Sequence, residues 1–176
     1  MKPVLAGSPV RTGLKRTCQV LGSVWTTLLI LAHPVLAITL LAFMWRQYQW
    51  RVKRRRLSGE QLQEARDSHE RFGRRILPLA CALVVLGYTT NAIVMAGEHP
   101  WWRYALPFHV HGAFGTMGLG FLCVVHVHGL RIVQLREDGE SFNTTRNRHG
   151  RAADVVMILG FIEGFLGMIY LLGILS

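Results

Sequence analysis

The chain has 176 residues, 51% hydrophobic and only 17% charged, with a net charge of +10 and three isolated cysteines. Four apolar stretches use up most of that length, so one integral membrane domain is expected and no separate soluble domain has room. No C-x-x-C pair exists, which removes zinc-ribbon, thioredoxin-like and iron–sulfur readings.

Residues 1–16 read as a basic tail, and residues 17–176 as an all-α, four-helix transmembrane bundle. Between Arg16 and Arg46 run 29 residues without a charge, more than the ~20 that cross a bilayer core. This first segment, about Thr17 to Tyr48, is too long for a secretory signal and lacks an A-x-A-like cleavage site, so it counts as a permanent helix. His33 followed by Pro34 lies near its middle, and Trp25, Trp45, Tyr48 and Trp50 are available as interface anchors. The second helix is expected to start outside the lipid at a capping box of Ser58 and Gln61, to enter it after Arg75 and to kink at Pro78. A connection holding His99, Pro100, Trp101, Trp102, Tyr104 and Pro107 suits the headgroup level. The third segment runs from about Phe108 to Gln134 and is rich in glycine. The fourth is expected to begin near His149 and carries one acid, Glu163.

Charge placement gives the topology. Ten of the 20 Lys and Arg lie between Arg46 and Arg75 and five between Arg131 and Arg151, against four in the tail and Arg103 alone in the second loop. Loops one and three are therefore expected in the cytoplasm, with both termini opposite, in a bacterial inner or photosynthetic membrane. The basic charge is then topology and contact with anionic lipid, and no nucleic-acid partner is expected. The Asn143-Thr144-Thr145 glycosylation match falls in a cytoplasmic loop and reads as chance. Cys18, Cys81 and Cys123 read as small buried apolar residues.

Four histidines recur once per segment: His33, His69, His111 and His149, separated by 36, 42 and 38 residues. That repeat equals one membrane helix plus its loop, so the imidazoles can converge in pairs inside a bundle. A b-type haem is held by imidazoles on both faces of its iron, with small residues nearby so that the macrocycle can approach the backbone. No C-x-x-C-H exists for covalent attachment. One turn after the four histidines stand Ala37, Gly73, Gly115 and Ala153. His109, followed by Ala113, is an alternate to His111, and His126 is a second alternate, able to bond a propionate or replace a cytoplasmic ligand. Helix direction pairs His33 with His111 toward the outer half, and His69 with His149 at the cytoplasmic end. The first pair carries a depth mismatch of ~10 Å for helix tilt to absorb. Arg71, Arg74, Arg75, Arg148 and Arg151 flank the second pair and suit haem propionates. Glu163 follows His149 by 14 residues, nearly four turns, and so points the same way about 21 Å deeper. It suits a proton acceptor beside a quinol or the outer haem, or a neutral acid bonding between helices.

With His33-Pro34, His69-x-x-x-Gly73, Phe108-His109-Val110-His111-Gly112 and Arg148-His149-Gly150, the chain resembles the two-haem b-type membrane cytochromes, the class of cytochrome b561 and ferric-reductase-like proteins. It more closely resembles small four-helix bacterial and cyanobacterial members of that class, over about Leu31 to Ser176. The resemblance implies two haem b groups, one held by helices one and three and the other by helices two and four, and electron transfer with no named reaction.

The expected function is electron transfer across or within the membrane by two haem b, with quinone as a candidate exchange partner. Other membrane subunits or a homo-oligomer are candidate partners beside lipid. Two other classes fit the same features: a haem-free accessory or pigment-binding subunit of a larger photosynthetic or respiratory complex, and a small proton-coupled transporter centred on Glu163.

Overall fold

The computed structural model describes residues 9–94 and 109–175, with side chains over 24–93 and 109–173. Four long helices account for nearly all of them: α1 (Pro9–Tyr48), α2 (Gly59–Val94), α3 (Val110–Glu137) and α4 (Asn143–Leu175). All four are long and apolar enough to cross a membrane, and no strand occurs among the described residues. The fold is an all-α four-helix bundle. The aromatic connection from His99 to Pro107 and the side chain of Cys18 lie outside the described residues.

Two helix starts differ from the sequence expectation. α1 begins at Pro9 rather than near Thr17, where the fixed φ of proline suits a first helical turn. α4 begins at Asn143, six residues before His149, because no proline or glycine interrupts the polar run from Asn143 to Arg148. The other boundaries follow local chemistry. A helical turn over Trp50–Lys53 and a 3-10 turn over Arg54–Arg56 join α1 to α2, and Ser58 stands immediately before α2. α3 ends in a Schellman motif: Gly139 at φ +72° donates to Arg136 O at 3.2 Å, and Glu140 donates to Leu135 O at 2.8 Å. Pro34 and Pro78 both lie inside continuous helices, which a membrane bundle tolerates when neighbouring groups satisfy the freed carbonyls.

The helices pack as a ring. α1 packs on α2, α2 on α3, α3 most extensively on α4, and α4 back on α1, while the diagonal pairs α1 with α3 and α2 with α4 hardly touch. The outer surface is apolar, with Trp25, Val35, Ile38, Val85, Val127, Ile158, Phe165 and Leu172 all exposed, as lipid-facing side chains must be. Cys81 and Cys123 also lie on that exposed surface, contrary to the buried positions expected of them. In a bilayer the exterior is as apolar as the interior, so a thiol gains nothing by burial.

At the centre, Ile76, Ala80, Leu122 and Val156 form a buried cluster, with Leu40, Phe43 and Leu119 packed against it. This apolar layer divides the interior into a basic end and a far end. Ion pairs clamp the basic end. Arg136 of α3 holds Glu70 of α2 through both guanidinium nitrogens, the second at 3.1 Å, and Arg51 pairs with Asp154 of α4. Tyr48 also donates to Asp154 Oδ1, at 2.7 Å.

The Arg136–Glu70 pair is the better sheltered of these, with side chains 27% and 21% exposed. A double-mutant cycle of Arg136→Met and Glu70→Gln, read by denaturant titration in detergent, should give a coupling of about 1 kcal/mol. A coupling near zero would show that solvent screens the pair and that packing alone ties α2 to α3.

Candidate functional site: two histidine levels in one bundle

At the far end, α1 and α3 bring His33 and His111 across one diagonal, with ring centroids 6.2 Å apart and ring planes at 86°. The ~10 Å depth mismatch expected between them is absorbed. His111 Nδ1 lies 2.9 Å from Glu163 Oε1 of α4, off hydrogen-bond alignment. His111 also stacks on Tyr170 at 6.1 Å and 19°, and the Tyr170 hydroxyl donates to Asn91 Oδ1 at 3.3 Å. His33 Nδ1, His111 Nδ1 and Glu163 Oε2 are buried with no hydrogen-bond partner.

At the basic end, His69 of α2 and His149 of α4 lie on the other diagonal and line one cavity of about 800 Å³. That volume is within the range of sites for cofactors and drug-sized ligands, roughly 300–1,000 Å³. His149 Nδ1 sits 3.0 Å from Val125 O, so it is the nitrogen that carries the proton and Nε2 is left as a lone-pair donor. The His69 ring lies parallel to Trp50, with centroids 5.2 Å apart, and its buried Nδ1 has no partner.

Glycines of neighbouring helices seat three of the four rings. A Cβ on Gly87 would fall 2.8 Å from His33 Cε1, one on Gly167 3.0 Å from His111 Cε1, and one on Gly129 3.5 Å from His149 Cε1. The spacing is shared: His69 to Gly87, His111 to Gly129 and His149 to Gly167 are each 18 residues. Eighteen residues are five helical turns, so histidine and glycine share a face about 27 Å apart. Each of α2, α3 and α4 thus offers an imidazole at one level and a seat for its neighbour's imidazole at the other.

The remaining candidates sort by level. Gly73, Arg74, Arg151, Ala153 and His126 line the cavity at the basic end, so His126 is no neighbour of His33. His109 stands at the non-helical start of α3, its ring 5.3 Å from Tyr170. Gly115 has a different role from the one expected: it makes room for the Glu163 carboxylate, which a Cβ there would meet at 2.7 Å. Of the five arginines expected around the basic pair, only Arg74 and Arg151 line the cavity. Arg71, Arg75 and Arg148 do not, because they fall on other faces of their helices, and Arg75 lies over Phe72. Sequence reasoning missed the cavity's other six arginines, Arg51, Arg54, Arg55, Arg66, Arg136 and Arg146, together with Trp50. It also missed the glycine seats, although the 18-residue interval was available to find them.

No family model matches this chain, and neither does any curated protein or solved structure. The site therefore rests on its own geometry.

That geometry separates two kinds of glycine. Gly87→Ala drives a methyl into the His33 ring and should cost about 1–3 kcal/mol, whereas Gly73→Ala, with nothing within 4 Å of its Cβ, should be neutral or mildly stabilising. Equal losses in detergent unfolding would show that His33 yields freely and that Gly87 is no seat.

Proposed function

We propose that this chain is a dihaem b-type membrane cytochrome that carries electrons between the two levels of its bundle. The observation that supports it best is the placement of four imidazoles as two diagonal pairs, one at each end of a membrane-length interior. Diagonal helices hardly touch, so a flat group could lie between them, held by His33 and His111 at one end and by His69 and His149 at the other.

The residues fit the group. Two imidazole nitrogens on one metal stand about 4 Å apart, or roughly 6 Å between ring centroids, given metal–nitrogen bonds of ~2.0–2.1 Å. His33 and His111 are 6.2 Å apart. Among the described residues no three His, Cys, Asp or Glu side chains converge on one point as a protein-only metal site requires. A facing pair such as His33 and His111 would suit a metal that a macrocycle also holds. The buried Nδ1 atoms of His33 and His69 have no hydrogen-bond partner.

Bound haem supplies a one-electron couple at each level. The protein fixes ligation and charge around it. Arg74 and Arg151 line the basic-end cavity and would meet propionates there, and the carbonyl of Val125 holds His149 in the tautomer whose Nε2 would be free to ligate. At the far end Glu163 is the one carboxylate beside the histidine pair among the described residues. It suits the proton of a quinol exchanging electrons there. The basic end faces the cytoplasm in this reading, by the excess of Lys and Arg in loops one and three.

Three experiments test the reading. Acid–acetone should extract two haems per chain. His33→Ala and His111→Ala should each remove the same haem, and His69→Ala and His149→Ala the other; a colourless pure protein would end the proposal. Redox titration should show that the basic-end haem has the higher potential and that this potential falls as salt screens the arginines, while the far-end haem responds little. If salt moves both equally, the arginines do not set the difference. Finally, Glu163→Gln should slow quinol-driven reduction with haem content intact, and an unchanged rate would remove Glu163 from proton transfer.

A further inference from the structure

The cavity at the basic end carries more positive charge than its histidine pair can use. Eight arginines line it: Arg51, Arg54, Arg55, Arg66, Arg74, Arg136, Arg146 and Arg151. Arg51 and Arg136 are held by Asp154 and Glu70. The other six have no carboxylate partner among the described residues. Two of these occupy side-chain acceptors or faces only: Arg66 donates to Gln63 Oε1 at 3.2 Å, and Arg146 lies over Phe142. Arg54 also stands close enough to Arg146, Arg55 and Arg51 for all three to repel it.

Like charges that converge around one cavity repel one another, and an anion bound among them relieves that repulsion. The two propionates of a haem neutralise two of the six, which leaves a cluster of about four positive charges at the mouth. Arginine's planar fork matches phosphate oxygens two at a time.

We propose that the mouth of this cavity, formed by Arg54 and Arg55 of the 3-10 turn and Arg146 of α4, is a binding site for a phosphate-bearing anion with two or more negative charges. The ligand is either the headgroup of an anionic lipid or a soluble phosphorylated molecule. The site rests on the cavity and its arginines and does not require haem, although a bound phosphate would lie beside the basic-end pair and lower the potential of a haem held there.

The test uses full-length protein in nanodiscs of phosphatidylcholine, titrated calorimetrically with inorganic pyrophosphate. Binding is expected, with Arg54→Gln/Arg55→Gln weakening it at least about tenfold, one charge-assisted contact being worth roughly that factor. Arg71→Gln/Arg148→Gln removes the same charge from residues outside the cavity and should leave it unchanged. Equal weakening by both pairs, or no binding in any variant, overturns the proposal. A second arm replaces part of the lipid with phosphatidylglycerol. If that lipid blocks pyrophosphate and is retained by the native protein but not by Arg54→Gln/Arg55→Gln in native mass spectrometry, the ligand is a headgroup. If pyrophosphate binding is unaffected, the ligand is soluble. Haem content read in the same samples keeps this outcome separate from that of the cytochrome reading, since a colourless protein that binds pyrophosphate supports the site and sinks the haems.

Discussion

Five helical turns, 18 residues and about 27 Å, is the interval on which this bundle depends. It is close to the thickness of a bilayer's hydrocarbon core, so one helix face can present one residue to each end of the membrane interior. The bundle uses it three times, with a histidine at one end and a glycine at the other, and adjacent helices run antiparallel. The glycine of one helix therefore arrives beside the histidine of its neighbour: Gly87 at His33, Gly129 at His149, Gly167 at His111. α1 departs from the rule, since 17 residues after His33 it offers Trp50, which stacks on His69. The fourth imidazole rests on a flat aromatic face instead of a glycine.

Between the two levels lies the apolar cluster of Ile76, Ala80, Leu122 and Val156, contributed by three helices. It has no polar side chain to carry protons through the middle of the bundle, so the two ends are chemically separate. They are also opposite in character. The basic end gathers eight arginines around a cavity and is clamped by ion pairs between helices. Among the described residues, Glu163 is the one carboxylate near the two imidazoles of the far end. The basic side therefore favours negative charge, and the far side holds a carboxylate beside its imidazoles.

Much of this was legible in the sequence, and what was not has physical reasons. Charge-free runs located all four helices, because in lipid an apolar side chain is tolerated on every face. The histidine rhythm located both levels, because the repeat of helix plus loop is fixed by membrane thickness. Glu163 beside His111 followed from counting turns along α4. Arg54 and Arg55 are not legible as cavity residues because they stand far from His69 and His149 in sequence and reach the cavity from a 3-10 turn that forms only after α1 ends. Helix α4 was expected six residues late because polar residues signal a loop in lipid but form good helix outside it. Gly115 and Gly87 look alike as sequence; only the packed bundle shows that one clears a carboxylate and the other an imidazole.

Helix α3 carries His111, His126 and His128, with His109 just before it, and the register distinguishes among them. His109 precedes the first helical residue, so its ring is set by an extended backbone and reaches Tyr170 rather than the diagonal. His128, half-buried, folds back on its own helix, with Nδ1 2.8 Å from Val124 O. His126 lies 15 residues beyond His111, about 22 Å, which takes it past the apolar cluster into the basic cavity. It lines that cavity, on the helix that also supplies Gly129 as the seat for His149. His111 alone combines a helical backbone, the far level, a carboxylate at Nδ1 and a glycine seat on α4. α3 therefore serves both diagonals: it supplies the imidazole of one and the floor of the other. Shifting it by a single residue would lose both together.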